Sequence, residues 1–200
     1  MSTAKSAVVL EKQDKISPRE RILTAAADLF YRHGIRAVGV ESIAEAAGTN
    51  KMTLYRHFAS KDELVAEYLR RLAVDAEGSW ARRASAHPGD PRAQLSAWLK
   101  EMADHVGATG DRGCALANAA VELPEPDHPA RRVIESFKKA HREQLIALCT
   151  TAGLSEPELL ADELSLLLEG ARVSVQCMGR DGLGDRLVRM GEKMIGAHQS

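Results

Sequence analysis

Three stretches of this chain carry the same helix-opening signal, and they constrain its fold more than any other feature. Ser17-Pro18-Arg19-Glu20, Ser60-Lys61-Asp62-Glu63 and Ser155-Glu156-Pro157-Glu158 each set a serine three residues ahead of a glutamate. In such a capping box the hydroxyl accepts from the backbone N–H three residues on, and the carboxylate reaches back to the cap. Behind each box, apolar residues recur at helical spacing. Ile22, Leu23, Ala26, Leu29 and Phe30 share one face, and Gly34 is placed to end that helix in a left-handed conformation. A short helix fits Val40 to Ala47, stopped by Gly48. Another fits Lys51 to Phe58, opened by Asn50. The Ser60 box starts a long helix with Leu64, Tyr68, Leu72, Ala76 and Trp80 in one stripe, broken at His87-Pro88-Gly89.

The same grammar continues downstream. Asp90-Pro91 opens a helix with Leu95, Trp98, Leu99 and Met102 facing inward. A loop from Gly107 to Gly113 precedes an alanine-rich helix, Cys114 to Leu123, which ends at Pro124 and Pro126. A longer helix runs from Asp127 to Cys149. The Ser155 box opens one through Leu164, Leu168 and Val175, and a last helix spans Asp185 to Ile195. No stretch reads as a strand. Aromatic residues make up only 4% of a chain that is 44% hydrophobic, a balance suited to helices packed on helices. The expected fold is all-α. Residues 1–16 read as a flexible arm, 17–63 as a three-helix module and 64–200 as a larger helical part.

Charge discriminates weakly. Residues 1–70 hold 11 Lys/Arg against 9 Asp/Glu, while the chain as a whole carries a formal net charge of −1. Nucleic acid is therefore a possible partner of the N-terminal part. Cys114, Cys149 and Cys177 lie far apart with no Cys-x-x-Cys pair, as expected for reduced thiols. No apolar run approaches the roughly 20 residues of a membrane span, and the charged N-terminus does not read as a signal peptide. A soluble, cytoplasmic protein is expected.

The segment around Gly48 is the most specific. Two short helices joined through Gly48-Thr49-Asn50 form a helix-turn-helix, with Ile43, Ala44 and Ala47 on the inward face of the first. Glycine at the turn accepts a positive φ. The second helix is the one that would enter a major groove, its N-terminal residues meeting base edges. Thr49, Asn50, Lys51 and Thr53 supply donors and acceptors there, and Leu54 and Phe58 face back into the module. Tyr55, His57 and Lys61 are placed to reach phosphates. Ser42, on the first helix, completes the DNA-contacting set.

Ile43-Ala44-Glu45-Ala46-Ala47-Gly48, Thr53-Leu54-Tyr55-Arg56-His57-Phe58 and Ser60-Lys61-Asp62-Glu63-Leu64 together closely resemble the DNA-binding domain of TetR-family repressors. Ala25-Ala26 to Phe30 and Gly34 fit the first helix of that family, so the resemblance covers about residues 19–68. It implies phosphate contacts by Tyr55, His57 and Lys61, with Thr49, Lys51, Met52 and Thr53 at the base-reading surface. Two positions depart from the family pattern. Gly39 stands where threonine is common, so the cap lacks a hydroxyl, and Met52 stands where a small residue is common. The resemblance further implies a C-terminal ligand-binding and dimerisation domain, a homodimer on palindromic double-stranded operator DNA, and release by a small-molecule effector.

In the larger part the resemblance is looser. Arg112 to Glu122 resembles one subgroup of the family without indicating a ligand. Trp98, Met102, Asn118, Phe137, His141 and Cys177 are the candidate pocket residues. Trp98, Met102 and Phe137 read more readily as core, and Asn118 equally as a pocket residue or as bonded to a neighbouring backbone. Glu101 and His105, four residues apart, read as a salt bridge rather than a metal pair, and no metal or cofactor is expected. Cys114 at a helix start reads either as a stabilised thiolate or as a small buried thiol. Leu164, Leu167, Leu168, Ala171 and Val175, with Leu187, Val188, Met190, Met194 and Ile195, suit a four-helix dimer interface built from the last two helices, or burial within one subunit. Gly-x-Ser-x-Gly, His-Glu-x-x-His and phosphate-cradling glycine loops are all missing from the sequence, which disfavours an enzyme. A DNA-binding architectural protein that senses nothing remains the third reading.

Overall fold

The computed structural model describes residues 16–108 and 112–199. The segment read as an arm, residues 1–16, lies outside them except for Ile16. Among the described residues the chain forms α1 (Pro18–His33), α2 (Val40–Ala46), α3 (Lys51–His57), α4 (Lys61–Ala86), α5 (Pro91–Gly107), α6 (Ala115–Glu122), α7 (Pro129–Thr151), α8 (Pro157–Met178) and α9 (Leu183–Ala197). Among these residues the only β feature is an isolated bridge between Leu154 and Gln199.

In two of the three capping boxes the serine half forms as expected, but the carboxylate does not reach back to the cap. Ser17 Oγ accepts from Glu20 N and Ser60 Oγ from Glu63 N. The carboxylates engage α4 arginines, Glu20 pairing with Arg71 and Glu63 with Arg70. The third box does not form. Pro157 occupies the first helical position, Glu156 caps α8 at φ 46°, and the Ser155 hydroxyl donates to the carbonyl of His198. Gly34 does end α1 with positive φ, but at φ 86° and ψ 154°, outside the left-handed helical region expected for it.

The helices bury two cores. In the first, Ile22, Ala26 and Phe30 of α1 meet Ile43, Leu54, Phe58 and the opening turns of α4, through Leu69. Leu116 and Ala119 of α6, Leu123 at its end, and Ala130 and Ile134 of α7 enter this same core. The small N-terminal module is thus completed by distant residues, because three short helices cannot enclose a core alone. The second core lies among α5, α7, α8 and α9, around Trp98, Leu99, Leu145, Leu160 and Leu164. There α9 packs on α5 so closely that Gly191 leaves no room for a side chain, since a Cβ would stand 2.7 Å from Leu99. The long α4 runs from the first core to Trp80 at the edge of the second.

Candidate nucleic-acid interface and cavity

Backbone bonding sets the turn between α2 and α3. Gly48 N–H donates to Glu45 O and Thr49 N–H to Ala44 O, with Gly48 at φ +63°. This is a Schellman stop, which requires a left-handed residue where Gly48 stands. Asn50 then caps α3, its Oδ1 accepting from Thr53 N at 2.9 Å, so that side chain is committed to the helix end. Gly39 caps α2 with no side-chain bond.

Leu54 and Phe58 are buried, fixing α3 with its opposite face outward. That face presents Lys51, Met52, Tyr55, Arg56 and His57, all exposed, with Met52 at 79%. Thr49 and Thr53 are half-buried beside it, and Ser42 is exposed on α2. Lys61 opens α4 half-buried, and its burial draws the ammonium below its ordinary range against the pull of Asp62 and Glu122. The structure therefore groups the sequence-derived contacts on and around one surface. Reading the sequence alone missed Glu41, whose carboxylate pairs with Lys51, and the exposed Arg56.

A second set of contacts ties this module to α6. Glu122, at the end of α6, accepts from Arg36 N at 3.0 Å and lies beside Gly34. Arg36 also pairs with Glu125. Arg112 N–H donates to the Tyr31 hydroxyl at 2.7 Å, and its guanidinium bonds the carbonyls of Tyr31 and Arg32. These partners lie some 80 positions apart in sequence, so no local pattern could show them.

Between α4 and α7 lies a cavity of about 860 Å³. Its lining runs from Glu63, Arg70, Asp127 and Arg132 to Trp80, Phe137, His141 and Gln144, with Ala73, Val74, Val133 and Ser136 between. Trp80 stacks on Trp98 at 6.5 Å, and the His141 ring lies 5.4 Å from Trp80 and 5.9 Å from Phe137. Burial, with the nearby cations Lys138, Arg172 and Arg83, holds the His141 imidazole neutral, down to about 4. Of the candidate pocket residues, Phe137 and His141 line this cavity and Trp98 stands buried behind it. Met102 instead meets the Arg172 guanidinium through its sulfur. Two candidates are exposed and lie away from this cavity, Asn118 lining instead a second one of about 480 Å³ with Tyr31, Tyr68 and Arg112. Asn118 is exposed and donates to the Arg112 carbonyl at 2.9 Å, because α6 buries Leu116 and Ala119. Cys177 is exposed because α8 buries the stripe from Leu164 through Val175.

Other expectations resolve similarly. Glu101 pairs with Arg83 rather than His105, whose Nδ1 meets the Glu101 carbonyl. Cys114 is half-buried at the cap of α6, with its sulfur 3.6 Å from Lys138 Nζ. The stripe assigned to a dimer interface is mostly spent inside the subunit, where Leu164, Leu168, Ala171, Val175 and Leu187 are core. What α8 leaves exposed is a different row, Leu159, Leu166 and Val173, spaced seven residues apart, with Met190 exposed on α9. Among the described residues no helix is long and apolar enough to cross a membrane.

Residues 22–68 match the model of the family described as bacterial regulatory proteins, tetR family. The chain is 38% identical over 95 residues to the HTH-type transcriptional repressor KstR2 of Rhodococcus jostii, covering 48% of this chain and 46% of that protein. It is 38% identical over 88 residues to the HTH-type transcriptional activator FasR of Mycolicibacterium smegmatis, covering 44% and 40%. The chain thus spans less than half the length of these two relatives. Solved structures match far more of it. A tetR-type transcriptional regulator from Streptomyces avermitilis superposes with a TM-score of 0.77 at 33% identity, over 92% of this chain and 98% of that one. SCO4454 of Streptomyces coelicolor, a TetR-family transcriptional regulator, superposes with a TM-score of 0.86 at 26% identity, over 92% and 96%.

Proposed function

Because the chain belongs to the TetR family of bacterial regulatory proteins, transcriptional regulators and not enzymes, we propose that it is a ligand-responsive repressor acting in the cytoplasm. It binds a palindromic operator as a homodimer and is released by a small-molecule effector. The observation that carries this reading is the exposed face of α3. Lys51, Met52 and Tyr55 project together from a helix anchored by Leu54 and Phe58, the arrangement by which a recognition helix enters a major groove. In this reading Thr49, Lys51, Met52 and Thr53 meet base edges, and Tyr55, His57 and Lys61 meet phosphates. Asn50 acts through the cap it makes, and Ser42 flanks the contact.

The α4–α7 cavity is the effector site of this reading. Trp80, Phe137 and the neutral His141 give its lining an aromatic part, Glu63, Arg70, Glu77, Asp127 and Arg132 a charged one, and its volume suits a small molecule with an apolar body and a polar group. A ligand wedged there bears on α4 and α7, and α7 packs against α6. Glu122 and Arg112 then carry any shift of α6 to the end of α1. Dimerisation uses α8 and α9 through the exposed row Leu159, Leu166 and Val173, where Gly170 leaves open space for close approach.

Selection of bound fragments from a random duplex pool, at near-physiological salt, tests the proposal. A palindromic consensus with half-sites about one helical turn apart is expected. Recovery of no enriched sequence would refute specific operator binding and favour an architectural protein. A consensus bound by one subunit alone would refute the dimer.

A further inference from the structure

The proposed reading face carries an exposed charge pair that joins two helices at the solvent. Lys51, the first residue of α3, sets its Nζ 2.6 Å from Oε1 of Glu41 in the first turn of α2. Their side chains are 54% and 68% exposed, so neither fills a core. An exposed pair of this kind contributes little to stability. Toward DNA a carboxylate is a liability, since the phosphate backbone repels it. Its place in the first turn of α2 suits the positive end of that helix, and beside the leading residue of the recognition helix a donor on the DNA would offset the repulsion.

Base-pair edges supply that donor in one arrangement. In the major groove guanine offers two acceptors, N7 and O6, and its cytosine partner offers the N4 amino donor. An ammonium has only donors and an ionised carboxylate only acceptors. Hydrogen bonding from Lys51 keeps Glu41 ionised, its carboxyl below the usual range. Held side by side, the two groups match guanine and cytosine in turn. An A·T pair puts the thymine O4, an acceptor, and a methyl group where the cytosine donor would be, which a carboxylate opposes.

We propose that Glu41 and Lys51 act as one reading unit that selects a G·C pair in each half-site, Lys51 donating to guanine and Glu41 accepting from its cytosine. The inference rests on the operator-binding reading above. The contact seen in the free protein positions both groups beforehand, so neither has to be ordered by the DNA. On binding, one ammonium hydrogen stays with Glu41 while the others turn to N7 and O6. Glu45, one turn further along α2, is exposed and makes no ion pair with Lys51, so it serves as a control carrying the same charge on the same helix.

The test is random-duplex selection with the full chain in four forms: unaltered, Glu41→Ala, Glu41→Gln and Glu45→Ala. The unaltered chain should enrich a G·C pair at one position per half-site. Glu41→Ala should reduce discrimination at that position about tenfold and leave the other positions intact. Glu41→Gln should move the preference there toward A·T, because a glutamine amide pairs with adenine N6 and N7. Glu45→Ala should leave the consensus unchanged. Tighter binding of Glu41→Ala to all sequences, with an identical consensus, would overturn the inference and reduce Glu41 to a source of phosphate repulsion. Failure of the unaltered chain to enrich any sequence would instead overturn operator binding, and this inference with it.

Discussion

His141 gives the sharpest quantitative prediction. Its imidazole lies in the wall of the α4–α7 cavity against Trp80 and Phe137. Burial comes first among the causes that hold it down to about 4, followed by Lys138 on its own helix, Arg172 on α8 and Arg83 on α4, with Glu169 pulling the other way. Above pH 6.5, the ordinary value, the ring is neutral in both the folded and the unfolded chain and contributes nothing to the pH dependence. As pH falls from 6.5 toward 4 the unfolded chain takes up a proton that the folded chain refuses, so stability is lost. Below about 4 both states are protonated and the loss levels off. Between these limits the linkage relation gives about 2 kcal/mol lost at pH 5 and about 3 kcal/mol near pH 4. Other groups titrate over this range, so the measurement is a difference. Urea unfolding of the unaltered chain and of His141→Leu, at one chain concentration, should be compared at pH 7.5 and pH 5. The stability of the unaltered chain relative to the variant should fall by about 2 kcal/mol between the two conditions. A relative stability that stays constant to within about 0.5 kcal/mol would refute the assignment of a neutral, desolvated imidazole.

The remaining predictions concern the interfaces. Leu166→Glu combined with Val173→Glu should convert a dimer to monomers in sedimentation while leaving helix content unchanged, since both side chains are exposed in the subunit. A persisting dimer would place the interface elsewhere. Tyr55→Phe and Lys61→Ala should weaken binding to all DNA sequences alike, and Lys61→Ala should lower the slope of affinity against salt by about one counterion. A change of consensus in either variant would contradict a phosphate role. Glu122→Ala removes the acceptor of the Arg36 amide. A charge-assisted bond of about 1–2 kcal/mol should then be lost, and that amide should exchange roughly tenfold faster. Unchanged exchange would show that α6 does not hold the loop after α1.

Much of the geometry of the proposed DNA-binding face was legible because its rules are local. The stop at Gly48 follows from the φ that a Schellman turn demands, and the cap at Asn50 acts across three residues. Leu54 and Phe58 stand four apart, which fixes which side of α3 is buried and so which residues it presents. The third capping box shows where local rules fail. Ser155 has the right neighbour at Glu158, yet the carbonyl of His198, at the far end of α9, claims its hydroxyl. Glu41 escaped notice for a related reason. Its partner Lys51 lies on another helix, and only the angle between α2 and α3 brings the two together.

Sequence by itself determined the helical class, the order and approximate ends of the helices, and the turn that joins α2 to α3, since each depends on interactions within a few turns of chain. Tertiary structure decided what each helix face meets. It spent the apolar stripe of α8 on the subunit core and left Leu159, Leu166 and Val173 outside. It also left Asn118 and Cys177 exposed, drew Phe137 and His141 to one cavity, and tied α6 and the residues before it to the end of α1 and the loop after it through Glu122 and Arg112. The reason is geometric. A helical period states which residues share a face but not the direction in which that face points, and only the packing of helices distant in the chain supplies it.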